Sequence, residues 1–310
     1  MRYARHLLDP PLSKARLVAV CRRDAVLGQA FSTSHSLRFY HEYQDLIADP
    51  AVQAVIVVTP PSLTHPICLE AVRARKPLLI EKPLAPTGSV ARAIVEAATS
   101  ADVPLMTAQT MRYDAAVRAL KAELPSVGPR RYLVLTNRVE PRPEIWQDPS
   151  DYAGRGILLE IGVHQLDLVR YLTGEEVSEV RCDMDSDGPG QPESRALVRL
   201  RTVGGLPCII DVSRVTEGRV GRAEWVGKDG QIAADWVRHR ICRTTGRMTM
   251  EDRPVEDRPT LVDVLQDFVE ALGQGKPMPI TGLDGQRAVE LADACYRSAV
   301  TGEAIRIDIP

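Results

Sequence analysis

Four short runs in the first third of the chain are near-continuously apolar: residues 15–21 (ARLVAVC), 54–58 (AVIVV), 77–80 (PLLI) and 103–107 (VPLMT). A strand that hides both of its faces reads this way, as in a parallel sheet with helices on either side. The stretches between them, 64–75 and 89–101, are rich in Ala, Ile, Leu and Val at helix-compatible spacing. This alternation predicts a Rossmann-like, doubly wound sheet whose ligands meet the carboxyl ends of the strands. Thr59-Pro60-Pro61 and Glu81-Lys82-Pro83 stand at two such ends.

The pattern then changes. After a helix over 115–123, the strand candidates 131–138, 177–184, 196–201, 207–215 and 223–226 are longer and often alternate. A helix over 157–172 interrupts them, and helices over 261–272 and 285–300 close the chain. Strands in succession predict a second α/β domain with a large, mainly antiparallel open sheet, one face exposed or used for assembly. The expected division is a dinucleotide-binding domain at 1–114 and a substrate-binding and oligomerisation domain at 115–310, with 185–193 (DSDGPGQPE) a solvated loop.

A dinucleotide fold ordinarily opens with a strand and a Gly-x-Gly-x-x-Gly turn that seats the pyrophosphate on a helix N-terminus. Here residues 2–8 pattern as the body of a helix, stopped by Asp9-Pro10-Pro11, and no such glycine turn occurs. The expectation is a sheet without its usual first, central strand. It has two readings: a start placed about a dozen residues late in the first strand-helix-strand unit, or a domain that gave up its phosphate cradle and with it redox chemistry.

Composition narrows the field. The 310 residues are 44% hydrophobic and 26% charged with a formal charge of −2, ordinary for a globular protein and no reason to expect nucleic acid. No apolar run is long enough to span a membrane, and the first residues do not resemble a signal peptide. Six widely spaced cysteines suit reduced, packed thiols in a cytoplasmic protein and give no metal site.

Two segments carry the chemistry. Lys82 at a strand end can hold its ammonium near a substrate hydroxyl and stabilise an alkoxide, with Pro83 fixing its aim. On the helix over 157–172, spacings of four and three put Glu160, His164 and Asp167 on one face, an oriented base among carboxylates. Gly162 within that helix predicts close approach by another group. Weaker pointers are Thr59, Pro60 and His65 beside a ribose or nicotinamide, and Gln109 with Arg112 at the pocket edge. Arg22 and Arg23 follow the strand that ends near the adenosine ribose, where arginine accommodates a 2′-phosphate; this favours NADP over NAD.

Together these segments resemble the Gfo/Idh/MocA family, named for glucose–fructose oxidoreductase, inositol dehydrogenase and MocA. The resemblance rests on AVIVVTPPSLTH, AVRARKPLLIEKPLA, LLEIGVHQLDLVRYL and DFVEALGQGKPMP and spans nearly the whole chain. It implies a Rossmann domain, a second domain with an open sheet that often mediates homo-oligomers, and hydride transfer between NAD(P) and a sugar or cyclitol carbinol. Lys82 matches the lysine acting with the catalytic histidine, His164 that histidine, and Asp167 a substrate-side acid, while Glu81 belongs to the cofactor side. Glu160 stands where aspartate is common. The rival readings are a non-catalytic scaffold or ligand-binding relative, and a glycosidase-like member using NAD in a redox-neutral cycle.

Overall fold

The computed structural model describes residues 2–8, 14–141, 149–247 and 249–309. Helix α1 (Arg2–Leu8) lies where the sequence predicts it, and the Asp9-Pro10-Pro11 stop falls outside the described residues. There follow β1 (Ala19–Cys21), α2 (Ala25–Ser34), β2 (Arg38–Tyr40), α3 (Tyr43–Ala48), β3 (Val55–Val57), α4 (Pro61–Arg73), β4 (Leu78–Glu81), α5 (Gly88–Ser100) and β5 (Leu105–Ala108). Every pairing is parallel: β1 with β2, and β4 between β3 and β5. Among the described residues no ladder joins β1 to β3, so the layer is two sheets of two and three strands.

Local chemistry sets the helix starts. The carboxylate of Asp24 accepts from Leu27 N–H at the head of α2, and the Thr87 hydroxyl accepts from Val90 N–H at the head of α5. Proline at the first position opens α4, where its missing N–H costs nothing.

The second domain runs through α6 (Ala115–Glu123), β6 (Arg130–Arg138), a π-helical turn (Leu158–Gly162) continuing into α7 (Val163–Thr173), β7 (Val177–Ser186), β8 (Glu193–Thr202), β9 (Pro207–Ser213), β10 (Val220–Gly227), β11 (Gly230–Asp235), β12 (Arg240–Thr245), β13 (Thr249–Pro254), α8 (Thr260–Gln274), α9 (Gly282–Thr301) and β14 (Ile305–Arg306). Among the described residues nine strands form one sheet in the order β13-β12-β11-β10-β6-β9-β8-β7-β14, antiparallel except where β6 meets β9. Its inner face (Leu133, Leu135, Val198, Ile210, Val212) is buried. Its outer face leaves Tyr132, Leu197 and Ile209 exposed.

The chain returns to the first domain before it ends. Val264, Leu265 and Phe268 of α8 pack on Leu79 and Met106 of the parallel sheet, together with Tyr3 of α1. Helix α9 begins with a capping box, Thr281 and Asp284, and packs along α5. The expected boundary after residue 114 therefore separates the two sheets but not the two cores, because α8 is a layer of the first.

Candidate active site

The carboxyl ends of β3, β4 and β5 form one rim. Past β3, the Thr59 hydroxyl is buried without a partner among the described residues, and Pro60 leads into α4. One turn into α4, His65 is half-buried. Past β5, Gln109 is buried with neither amide atom bonded. Buried amide and hydroxyl groups left unbonded are costly, so a rim that carries them is suited to a ligand rich in hydroxyl and amide groups. Arg22 and Arg23 follow β1, in the turn before α2.

Lys82 follows β4 between Thr59 and Gln109. Its Nζ donates to the backbone carbonyl of Glu160 at 2.7 Å, so the rim of the first domain touches the π turn that leads into α7 of the second. That helix departs from the expected regular α form: Leu158–Gly162 is a π turn, which aims backbone groups differently from an α turn. His164, in the first turn of α7, is buried, and its Nδ1 has no partner among the described residues. Burial, aided by the nearby Lys82 ammonium, holds its imidazole well below the ordinary histidine range, and hence neutral. Glu160 is also buried, its carboxylate accepting from Arg214 Nη2 at 2.7 Å. The sequence reading missed Arg214, which directly follows β9; only its place at a strand end hints at it.

Three of the expected site residues are engaged within the protein. Asp167 does not share a substrate-facing surface with Glu160 and His164: it is fully buried, and both its oxygens accept from Arg112, at 2.7 and 2.6 Å. Burial pushes the Asp167 carboxyl up and Arg112 pulls it back. Arg112, expected at the cofactor edge, bridges Asp167 and Asp284, while Arg170 joins Asp284 to Glu176. This network fastens α7 to the segment after β5 and to the start of α9. Glu81, placed on the cofactor side, accepts instead from the buried Tyr3 hydroxyl of α1, and burial raises its carboxyl above the usual range. Gly162 does allow a close approach, but by protein: an added Cβ would lie 2.7 Å from Leu158 Cδ1 and 3.2 Å from Val212 Cγ1.

Parallel strands whose ends present unbonded polar groups, with a lysine and a neutral histidine brought together from two domains, define a dinucleotide-dependent oxidoreductase. The sequence model of the oxidoreductase family with an NAD-binding Rossmann fold matches residues 2–109, and that of the GFO/IDH/MocA C-terminal domain matches 130–233. The chain is 30% identical to Myo-inositol 2-dehydrogenase of Thermotoga maritima, over 87% of its own length and 84% of the relative's. It is 30% identical to Inositol 2-dehydrogenase 2 of Saccharopolyspora erythraea over 97% and 91%. It belongs to the Gfo/Idh/MocA family. A probable dehydrogenase from Thermotoga maritima superposes with a TM-score of 0.83 at 27% identity, covering 98% of this chain and 94% of that one. The fold is shared with a levoglucosan dehydrogenase solved with NADH and levoglucosan, at a TM-score of 0.88, 21% identity and coverage of 100% and 98%.

Proposed function

We propose that the protein interconverts a secondary alcohol and its ketone on a polyol, sugar or cyclitol, using NADP in preference to NAD. The observation that carries this reading is the contact of Lys82 with the main chain of Glu160, one helical turn before a neutral, buried His164. The names of its relatives, inositol dehydrogenases among them, support the substrate class.

The cofactor, when bound, supplies the hydride acceptor at the rim of β3, β4 and β5. The Thr59 hydroxyl and the Gln109 amide suit its ribose and carboxamide; Pro60 and His65 complete that edge. His164 takes the hydroxyl proton as the carbinol C–H bond breaks, and returns it in reduction. The Lys82 ammonium lowers the energy of the developing alkoxide. Positioned proton transfer of this kind contributes roughly 10²–10⁴-fold. Glu160 and Arg214 form a charged pair beside this centre that can hold neighbouring substrate hydroxyls.

NADP is favoured because Arg22 and Arg23 make no ion pair among the described residues, while the one acid of that turn, Asp24, caps α2. The exposed apolar residues of the open sheet support a homo-oligomer formed through that face. The test is a panel of polyols and sugars, followed by nicotinamide absorbance with each cofactor. Turnover with a cyclitol or sugar supports the reading. Substrate consumed without net change in absorbance would instead support a redox-neutral cycle, and failure of the chain to bind either cofactor would support a non-catalytic role.

A further inference from the structure

A chain of contacts ties the segment behind Lys82 to the first turn of the helix that carries His164, and it passes through a residue of neither. Asp293 lies in the middle of α9. Its Oδ2 accepts from Gly88 N–H at 2.7 Å, at the head of α5, and its Oδ1 accepts from Arg155. Arg155 also donates to the Pro86 carbonyl at 2.8 Å and lies 4.6 Å over the Tyr296 ring. The Tyr296 hydroxyl donates to Glu193 at 2.6 Å. Glu193 closes the path: its carboxylate accepts from Gly156 N–H at 2.8 Å and from Leu158 N–H at 3.0 Å.

Both ends of this path are close to the chemistry. From Lys82 to the Gly88 anchor the chain runs through the buried Pro83, Leu84 and Ala85 and the half-buried Pro86 and Thr87, and Arg155 holds the Pro86 carbonyl, so a displacement at Gly88 is passed on toward Lys82. At the other end, Gly156 accepts the first helical hydrogen bond, from Glu160 N–H at 3.0 Å. The Glu193 carboxylate thus supplies from another strand the cap that the helix lacks in its own sequence, where its charge also suits the helix dipole. Both anchors are glycines because the partners leave no room: a Cβ on Gly156 would lie 2.0 Å from the Glu193 carbonyl oxygen, and one on Gly88 2.9 Å from Asp293 Oδ2.

We propose that Asp293, acting through Arg155, Tyr296 and Glu193, is a positioning residue that sets the spacing of Lys82 and His164. It touches neither substrate nor cofactor. The inference rests on the reading of Lys82 and His164 as the reacting pair, but its structural half does not. Loss of register by about 1 Å can cost on the order of 10²-fold in turnover without loss of binding.

The test uses the full chain with Asp293→Asn and, in case that variant folds poorly, Tyr296→Phe, which removes only the hydroxyl. Amide hydrogen exchange is read at residues 86–90 and 156–162, alongside kcat and KM. The expected result for Asp293→Asn is exchange faster by about tenfold or more in both segments, with melting unchanged within a few degrees. Tyr296→Phe should speed exchange at 156–162. In either variant kcat should fall about ten- to hundred-fold, with substrate KM and cofactor affinity within about twofold of the parent. Exchange that rises at 86–90 alone in Asp293→Asn, or a normal kcat in both variants, overturns the proposal. If the parent turns over no polyol, the functional reading has failed, while the exchange data still decide whether the two segments are coupled.

Discussion

The side chain of Lys82 reaches out of the parallel sheet and bonds the main chain of Glu160, at 2.7 Å, in the π turn of the second domain. The contact uses a backbone acceptor, so the side chain at position 160 can vary without loosening it. Replacing Glu160 with aspartate would therefore shorten the reach of the carboxylate but leave the lysine's anchor in place. The longer side chain is in turn held by Arg214.

Lys82 and His164 are the proposed reacting pair, and removing either should cut turnover sharply and spare the fold. His164→Ala and Lys82→Ala are each expected to lower kcat by roughly 10²–10⁴-fold. Calorimetry should place their melting near the parent's, and cofactor titration should show His164→Ala binding normally. Near-normal turnover in both would sink the assignment.

The pH dependence follows from the direction in which His164 is shifted. Burial and Lys82 hold its imidazole below the ordinary 6.5, so the alcohol-oxidising rate should stay high well below that pH and fall only when the imidazole finally protonates. In Lys82→Met one of the two causes is gone, and the acid limb of kcat/KM should move part of the way up toward 6.5. Stability has the same origin. Between the folded and unfolded values the unfolded chain binds the extra proton, so this residue's contribution is complete above 6.5 and declines as pH falls toward the folded value. Denaturant titrations of the parent and His164→Gln across this range would show the difference, and identical slopes would count against it.

Arg112 predicts a large structural effect. It is the shared partner of Asp167 and Asp284, with only 12% of its side chain exposed. Arg112→Ala leaves the fully buried Asp167 carboxylate without its two-point hydrogen-bonding partner, with Arg170 acting on it only at longer range. A loss of about 3–5 kcal/mol in unfolding free energy is expected, as for a buried pair broken from one side. Arg112→Lys should recover only part, because an ammonium cannot reproduce the two-point contact. Chemical denaturation measures both.

The first domain was legible because β3, β4 and β5 are apolar on both faces, and their ends then had to carry the polar groups. Helix α1 was legible as well, from spacing alone. What stayed hidden was set by partners far away in sequence. Strand β13 is exposed at every position, so it had no apolar face to announce it. Strand β12 owes its place to pairing with β11. The helical face drawn through Glu160, His164 and Asp167 assumed uniform 3.6-residue turns, which the π turn at Leu158–Gly162 breaks. Nothing local distinguishes an aspartate waiting for substrate from one taken up by an arginine 55 residues away. Arg214 was overlooked for the same reason: its meaning depends on Glu160.

Cofactor choice gives the last prediction. Arg22 and Arg23 sit where β1 hands over to α2, and Asp24 is engaged at the head of that helix, accepting from Leu27 N–H at 2.9 Å. An acid free to bond a ribose 2′-hydroxyl would favour NAD, whereas two guanidinium groups beside that hydroxyl favour a phosphate on it. A hydrogen bond to a charged group is worth about 1.5–3 kcal/mol, roughly ten- to hundred-fold in affinity. Arg22→Ala with Arg23→Ala should therefore weaken NADP binding by at least about tenfold and leave NAD nearly unaffected, narrowing or inverting the preference. Because an exposed arginine also attracts the diphosphate common to both cofactors, the ratio of the two dissociation constants is the quantity to measure, at fixed ionic strength. A ratio unchanged by the double substitution would place the 2′-position elsewhere and leave NAD as the working cofactor.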